Sequence, residues 1–202
     1  MLVENITAVV LAGGRATRMG GQDKGLIQVS GRSIVDRVAS QLSKQVTTVL
    51  INANRNIDLY QRLGHAVVND RLENFQGPLA GMAAALNRIE NDWLLTVPCD
   101  GPFLAKDYAQ RMLRSAEESH VKLAVASDGE RLQPVYALIN KQLVNSLEIF
   151  LKSGERKIDR WYAQHAYATV SFSDQAHMFT NVNTPEQLKE VEREIELSTG
   201  SD

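Results

Sequence analysis

Short apolar runs alternate with amphipathic stretches from the N-terminus to about residue 125. The runs are rich in Val, Ile and Leu, which is typical of strands buried on both faces of a parallel sheet. These predicted strands cover residues 6–11, 26–29, 46–51, 66–68, 93–97 and 121–126. Residues between them show helical spacing, with helices predicted over 33–44 and 106–118, one ending near 63 and one starting near 77. The alternation predicts a doubly wound, mostly parallel α/β sheet.

The pattern becomes mixed after Asp128. It predicts strands over 133–138 and 168–172 and helices over 141–152, 157–164 and 184–197. Thr184 opens a capping box that has Pro185 at the first helical position. Ser33 opens a similar capping box, without a proline, for the helix predicted over 33–44. We expect these elements to be added to the sheet and to cover one end of it. Residues 1–197 would then form a single Rossmann-like domain, and residues 198–202 a disordered tail.

Composition excludes several classes of function. The net charge of −2 provides no global attraction for nucleic acid or an anionic membrane. No apolar run reaches the ~18 residues of a membrane span, and the N-terminus lacks a basic leader. The single cysteine, Cys99, suits a reducing compartment, and the four histidines lack zinc spacing. We therefore expect a cytoplasmic protein with neither a nucleic-acid nor a membrane partner.

A glycine-rich loop follows the first predicted strand. It combines cations with backbone positions that can approach a ligand closely: Gly13, Gly14, Arg15, Arg18, Gly20, Gly21, Lys24 and Gly25. Successive N–H groups turned inward form an anion cradle, which cationic side chains strengthen; Asp23 offsets part of that charge. The alternative is a mobile surface turn, but such a turn requires neither the preceding strand nor the cations. The loop therefore predicts phosphate binding.

Three other polar residues follow predicted strands. In open α/β sheets, ligands bind outside the carboxyl ends of the strands, where Asn52, Asp70 and Asp100 stand. Asp100 could hold Mg²⁺ against a triphosphate, or serve as a turn or N-cap residue. Asn52 and Asp70 could bind a base or ribose, or be ordinary polar loop residues.

Three further features each leave two interpretations open. The GPLAG run at 77–81 could present helix amides to an anion or base, or fit a helix start against the sheet. Cys99 is interpreted as a packing residue rather than a nucleophile, because no histidine stands near it in sequence. The third feature is a basic cluster of Arg156, Lys157 and Arg160. The favoured interpretation is a solvated helix face, although a functional role stays open.

Several motifs resemble a known family. Leu11-Ala12-Gly13-Gly14, Arg18-Met19-Gly20 and Lys24-Gly25 resemble the LAGGxxxRMGxxKG signature of nucleotidyltransferases that activate phosphorylated metabolites. GPLAG at 77–81, PCDGPF at 98–103, QPVYAL at 133–138 and NVNTPEQL at 181–188 follow in family order. Together, up to about residue 190, they resemble the molybdenum cofactor guanylyltransferase family. Relatives that transfer CMP to the same cofactor share much of this pattern.

The resemblance implies roles for individual residues. It implies GTP binding by Leu11, Ala12, Gly13 and Lys24, further nucleotide contacts by Asn52, Asp70 and Asp100, and a Mg²⁺ ligand in Asp100. Arg18, Lys24 and Asp100 would be the catalytic residues, whereas we expect Asn181 and Asn183 to face the pterin side of the cleft. The substrates implied are GTP and molybdenum-carrying molybdopterin. The expected protein is a monomer that contacts cofactor-delivery or acceptor proteins transiently.

Two other classes of function stay open. The first is a cytidylyltransferase or sugar-phosphate nucleotidyltransferase with the same loop, because the sequence alone does not determine the base. The second is a module that carries a pterin or nucleotide without turnover. The presence of Arg18, Lys24 and Asp100 together argues against mere carriage, which requires no metal ligand beside cations.

Overall fold

The protein is described by a computed structural model that covers residues 2–13, 23–70 and 77–199. Within these residues the strands are β1 (Val3–Leu11), β2 (Gln28–Val29), β3 (Arg32–Ser33), β4 (Val46–Asn52), β5 (Ala66–Val68), β6 (Trp93–Pro98), β7 (Leu123–Ser127), β8 (Leu132–Asn140) and β9 (Ala168–Ser171). The α-helices are α1 (Ile34–Leu42), α2 (Ile57–Gln61), α3 (Pro78–Leu86), α4 (Tyr108–Glu118), α5 (Val144–Lys152), α6 (Ile158–Tyr162) and α7 (Pro185–Thr199).

The main sheet confirms the predicted mostly parallel α/β architecture. Its strand order is β5-β4-β1-β6-β8-β7-β9, and β2 and β3 form a separate hairpin. β8 runs antiparallel to both of its neighbours, while the other pairings in the sheet are parallel. The mixed pattern after Asp128 had suggested elements added at one end of the sheet. Instead, the late strand β8 is inserted between β6 and β7. β1 lies between β4 and β6, which makes its carboxyl end the switch point of the topology.

Helices cover both faces of this sheet. Along β1, Ile6, Ala8 and Val10 face a core shared with α1, α4 and α7. Val9 and Leu11 face the opposite core, which α3, α5 and α6 complete. Side chains alternate between the faces of a strand, so an uninterrupted apolar run is what burial on both faces requires. The sheet is therefore doubly wound.

Both predicted helix starts carry their N-cap bond, and the second forms a full capping box. Ser33 Oγ accepts from the N–H of Asp36 at the start of α1. Thr184 Oγ1 accepts from the N–H of Gln187, whose own Oε1 accepts from Thr184 N–H. These reciprocal bonds satisfy donors that a helix start leaves without an intrahelical partner. They fix the chain that enters α7.

The observed ends differ from prediction at a few places. The strand predicted over 26–29 is a tight turn, Lys24–Leu26, followed by the two residues of β2. α1 ends at Leu42 rather than Lys44. α7 continues to Thr199, so residues 198 and 199 are helical rather than tail; residues 200–202 lie outside the described part. Among the described residues, no helix is both long and apolar enough to cross a membrane.

Candidate active site at the switch point

Three strand ends meet at the switch point. Leu11 at the end of β1 pairs in register with Asn52 of β4 and with Pro98 of β6. Backbone bonds continue just beyond: the Ala12 N–H donates to Asn52 O at 2.8 Å, and the Cys99 N–H donates to Leu11 O at 3.2 Å. The sheet therefore brings the start of the glycine-rich loop, Asn52 and the segment that carries Asp100 to one edge.

Asn52 and Asp70 belong to one network of amides and a carboxylate. Asn52 is buried, and its Nδ2 donates to Asp70 Oδ1 at 2.8 Å and to Val68 O at 3.2 Å. Asn54 Nδ2 donates to Asp70 Oδ2 at 2.7 Å, and the Asp70 N–H donates back to Asn54 Oδ1 at 2.9 Å. Both carboxylate oxygens of Asp70 are thus engaged by side-chain amides. Asn54 was not predicted as a site residue. The sequence feature that could have identified it is its position two residues after Asn52, because residues two apart in an extended segment point the same way.

Two glycines are fitted closely around the Asn52 amide. A Cβ on Gly81 would lie 2.2 Å from Asn52 Oδ1, and one on Gly13 would lie 2.9 Å from the same oxygen. Gly81 belongs to α3, which begins after Gly77 with Pro78 at its first position. The GPLAG run therefore fits a helix start against the sheet edge. Asn52 joins the loop after β1, the end of β5 and the first turns of α3.

Lys24, Asp100 and Asn183 form a charged cluster at the other side of the switch point. Lys24 Nζ lies 3.4 Å from Asp100 Oδ2 and also donates to Asn183 Oδ1. The side chains of Lys24 and Asp100 are 24% and 20% exposed, so a ligand in the cleft can reach both. Three residues from distant parts of the sequence are thus brought together as a candidate site.

The segment 181–183 lies along the chain that follows Asp100. The Val182 N–H donates to Asp100 O at 2.8 Å, and the Asn183 N–H donates to Gln187 Oε1 at 2.8 Å. Asn181 Oδ1 is buried and accepts no hydrogen bond from any described residue. The capping box of α7 therefore holds both asparagines in place beside Asp100. Asn183 reaches the cluster, while Asn181 packs toward Gly101.

Cys99 is placed for packing rather than for nucleophilic chemistry. Burial, with the neighbouring carboxylates of Asp100 and Asp23, raises the pKa of its thiol to about 12. A thiol with that pKa is protonated at neutral pH, whereas the thiolate is the reactive form. Its Cβ also lies 3.3 Å from the position that a Cβ on Gly25 would take.

The basic residues at 156–160 make local contacts away from the cluster. Arg156 Nη1 donates to Leu151 O at 2.7 Å, near the last turn of α5. Arg160 pairs with Glu155 at 2.9 Å, and Lys157 is exposed. These contacts favour the interpretation of a solvated, helix-capping group. Arg18, together with the loop residues between Gly13 and Asp23, lies outside the described residues.

The fold and this site define a class. A mostly parallel, doubly wound sheet with a glycine-rich segment and polar residues at its switch point is the arrangement of a nucleotide-binding α/β protein. The family model of the MobA-like NTP transferase domain matches residues 8–170. The chain belongs to this family, as the motifs of the sequence indicated.

Known relatives agree with that assignment. The chain is 48% identical over 193 residues to the molybdenum cofactor guanylyltransferase of Shewanella sp. strain MR-4, covering 96% of this chain and 98% of the relative. It is 47% identical over 194 residues to the enzyme of the same name from Shewanella frigidimarina, covering 96% and 99%. These alignments span nearly the whole of both chains.

Solved structures share the fold. Molybdopterin-guanine dinucleotide biosynthesis protein A from Archaeoglobus fulgidus superposes with a TM-score of 0.81 at 20% identity, covering 95% of this chain and 99% of that one. A CMP:2-keto-3-deoxy-manno-octonic acid synthetase complexed with CTP gives a TM-score of 0.72 at 12% identity, covering 96% and 99%. At these identities the likeness concerns the fold alone.

Proposed function

We propose that the protein transfers GMP from GTP to the phosphate of molybdenum-carrying molybdopterin, forming the guanine dinucleotide cofactor and releasing pyrophosphate. The observation that carries this proposal is the meeting of Lys24, Asp100 and Asn183 at the switch point of the sheet. The name of the relatives at 47–48% identity supports the choice of substrates.

The proposed reaction places specific demands on the site. The attacking phosphate monoester has a second pKa near ~6, so it is mostly dianionic at neutral pH and requires no general base. The main barrier is the repulsion between two polyanions and the charge that develops on the leaving pyrophosphate. A cation held close to the reacting groups lowers that barrier. Lys24, partly exposed in the cluster, is such a cation.

We assign the residues by the side of the cleft on which they lie. Leu11, Ala12 and Gly13 would bind the nucleotide, with Asn52 and Asp70 shaping the same side through their hydrogen-bond network. Lys24 and Arg18 would contact the phosphates.

The later segment would form the opposite wall. We propose that Asn181 and Asn183 face the pterin, since an amide offers both a donor and an acceptor to a pterin edge or its phosphate. The contact of Asn183 with Lys24 would place the acceptor phosphate beside the cation that serves the nucleotide.

Asp100 fits the role of a Mg²⁺ ligand. Its carboxylate is partly exposed, and Lys24 at 3.4 Å is its described side-chain partner. The described residues contain no group of three or more His, Cys, Asp or Glu side chains placed to hold a metal. Mg²⁺ is commonly held by one or two carboxylates together with substrate phosphates, and Asp100 would hold it in this way. When bound, Mg²⁺ would stabilise the charge of the triphosphate.

We also propose a cellular setting and oligomeric state. A single cysteine in the sequence suits the reducing cytoplasm, where the protein would act as a monomer with transient contacts to delivery or acceptor proteins. Light scattering coupled to size-exclusion chromatography would test the monomer directly. A stable dimer at working concentration would contradict it.

Pyrophosphate release tests the proposed function. The protein would be incubated with Mg²⁺, molybdenum-loaded molybdopterin and GTP, CTP, UTP or ATP in turn, with a matched reaction lacking the pterin. We expect pterin-dependent release with GTP well above the other nucleotides, and mass spectrometry should detect the guanine dinucleotide product. A preference for CTP would indicate the cytidylyltransferase alternative, and binding without release would indicate a carrier module.

A further inference from the structure

Asp23 immediately precedes Lys24, and its carboxylate is buried. This carboxylate does not accept a capping hydrogen bond from the turn that follows, as the side chain of an N-cap residue ordinarily does. Asp23 precedes the turn Lys24–Leu26, and its backbone oxygen accepts from Leu26 N–H at 2.9 Å. An aspartate at such a position usually caps with its side chain, but this side chain makes no capping bond. The residue is only 7% exposed. A buried carboxylate requires partners, and here they come from elsewhere.

The partners of Asp23 lie at the start of α2. Arg55 Nη2 lies 3.5 Å from Asp23 Oδ1, and Asn56 Nδ2 donates to Asp23 Oδ2 at 3.0 Å. Asn56 precedes α2 with a left-handed backbone (φ 49°) and makes no side-chain capping bond of its own. Asparagine adopts this conformation more readily than most non-glycine residues do. Asp23 and Asn56 thus bond to each other instead of capping their own helical segments.

The same helix also contacts the residue after Lys24. Tyr60 of α2 is fully buried, and its hydroxyl lies 3.1 Å from the position that a Cβ on Gly25 would take. Any larger residue at position 25 would meet this ring and Cys99. The segment that carries Lys24 is therefore held against α2 both before and after the lysine.

We propose that Asp23 is a positioning residue for Lys24, acting through its bonds to Arg55 and Asn56; the role in turnover rests on the proposed function. A lysine side chain is long and flexible, so its direction depends on how firmly its backbone is held. The Arg55 guanidinium also balances the charge of Asp23, which otherwise would stand beside Lys24 as a second carboxylate with Asp100. The bonds of Asp23 to Arg55 and Asn56 thus hold the backbone so that the Lys24 side chain points to Asp100 and Asn183.

A double-mutant cycle tests this inference. kcat/KM for GTP would be measured for the unmodified protein, Asp23→Asn, Lys24→Ala and the double variant. We expect Asp23→Asn alone to lower kcat/KM roughly tenfold, because misplacement of a catalytic group is costly. In the Lys24→Ala background, Asp23→Asn should cause little further loss, since coupled residues are non-additive. Equal losses in both backgrounds, or unchanged kinetics in Asp23→Asn, would overturn the proposal.

Matched variants separate positioning from folding. Asp36→Asn removes the carboxylate of another ion pair, that with Arg32 at 2.7 Å, and should leave kcat/KM unchanged. Asn56→Gly keeps the left-handed backbone accessible while removing the donor to Asp23, so it serves if Asp23→Asn does not fold. It should lower kcat/KM several-fold with the same dependence on Lys24. A loss that persists undiminished without Lys24 would overturn the proposal in this variant as well.

The cycle can be read independently of the proposed reaction. Calorimetry would measure the affinity of each variant for GTP and for CTP. If the unmodified protein binds nucleotide but releases no pyrophosphate, the proposed function fails while the cycle of affinities still tests Asp23. Coupling between Asp23 and Lys24 in binding would sustain the positioning role, and additive losses would refute it.

Discussion

Asp70 and Asp100 occupy similar positions in the sequence pattern but different surroundings in the structure. Both follow parallel strands of the same sheet edge, Asp70 beyond β5 and Asp100 beyond β6. The two oxygens of Asp70 accept from the amides of Asn52 and Asn54, whereas Asp100 has Lys24 at 3.4 Å as its described side-chain partner. Topology brings a carboxylate to the site, but its hydrogen bonds decide whether it is available to a ligand.

The comparison extends to the two sides of the switch point. On the β5 side, amides and glycines fit one another closely, and both carboxylate oxygens of Asp70 are paired within the protein. On the β6 side, the side chains of Lys24 and Asp100 are partly exposed. Their neighbour Asn183 is held by a hydrogen bond from its N–H to Gln187 of α7. A closely fitted side favours recognition by shape, and an exposed charged side favours chemistry.

The largest effect should come from Asp100→Asn. This change removes the charge at the proposed metal ligand while keeping its shape, so turnover should fall by roughly 10²-fold or more with the fold intact. Steady-state pyrophosphate release over a Mg²⁺ titration would measure it, with circular dichroism to check the fold. Asp70→Asn is the matched control and should affect turnover less. Near-normal activity of Asp100→Asn at ordinary Mg²⁺ would remove the assignment.

Lys24→Ala should have the next largest effect. Loss of one charge-assisted hydrogen bond costs about 1.5–3 kcal/mol, or roughly one to two decades in kcat/KM. Both GTP affinity and rate should fall, which calorimetry and steady-state kinetics would separate. The exposed Lys157 offers a control, and Lys157→Ala should leave both quantities unchanged. Unaltered kinetics in Lys24→Ala would contradict phosphate binding by the loop and favour the alternative of an ordinary surface turn.

Gly81→Ala tests the closely fitted side of the comparison. The new Cβ would lie 2.2 Å from Asn52 Oδ1, and two hydrogen bonds restrain that amide. Overpacking of this kind costs about 1–3 kcal/mol, which should exceed the roughly 0.5–1 kcal/mol that alanine gains over glycine in a helix. Urea unfolding should show a net loss of stability, smaller for Gly13→Ala, where the approach is 2.9 Å. A net gain would show that Asn52 moves freely.

The smallest effect concerns acid stability away from the cleft. Arg111 of α4 pairs with Asp107 at 2.8 Å and with Asp174 at 2.7 Å. Hydrogen bonds from Arg111 lower the pKa of Asp174; for Asp107, desolvation opposes the shift, but bonds from Arg111 and Gln175 lower its pKa on balance. A carboxyl whose pKa is lowered by folding stabilises the protein above its unfolded pKa of about 3.9 and loses that contribution as pH falls further.

Arg111→Gln should therefore flatten the acid limb of the stability curve. Urea unfolding between about pH 2 and pH 6 would compare the variant with the unmodified protein. The difference should be largest near the upper end of this range and shrink toward the lower end, and modest throughout because these side chains are exposed. Parallel curves with a constant offset would show that the ion pairs contribute no pH dependence.

Local patterns predicted much of the fold. Apolar runs located the strands of the sheet, and Ser33 and Thr184 located two helix starts, because both signals depend on residues close in sequence. The place of β8 between β6 and β7 could not be predicted, since strand order depends on pairing between distant segments.

The site was predicted in its parts rather than in its connections. The rule for strand ends identified Asn52, Asp70 and Asp100, but it did not show which of their side-chain atoms are bonded within the protein. The contact between Lys24 and Asn183 joins residues 159 positions apart, which no local spacing reveals. The anchoring of Asp23 was hidden for the same reason, because its partners Arg55 and Asn56 lie just before α2, with Asn56 33 positions away in the sequence.

Metal binding tests the central claim most directly, namely that Asp100 and not Asp70 holds the metal with GTP. Mn²⁺, which accepts the same carboxylate and phosphate ligands, would replace Mg²⁺ and be followed by electron paramagnetic resonance at saturating GTP without pterin. We expect the unmodified protein and Asp70→Asn to bind Mn²⁺ with similar affinity, and Asp100→Asn to lose the protein-bound signal. Retention of that signal in Asp100→Asn, or its loss in Asp70→Asn alone, would contradict the account.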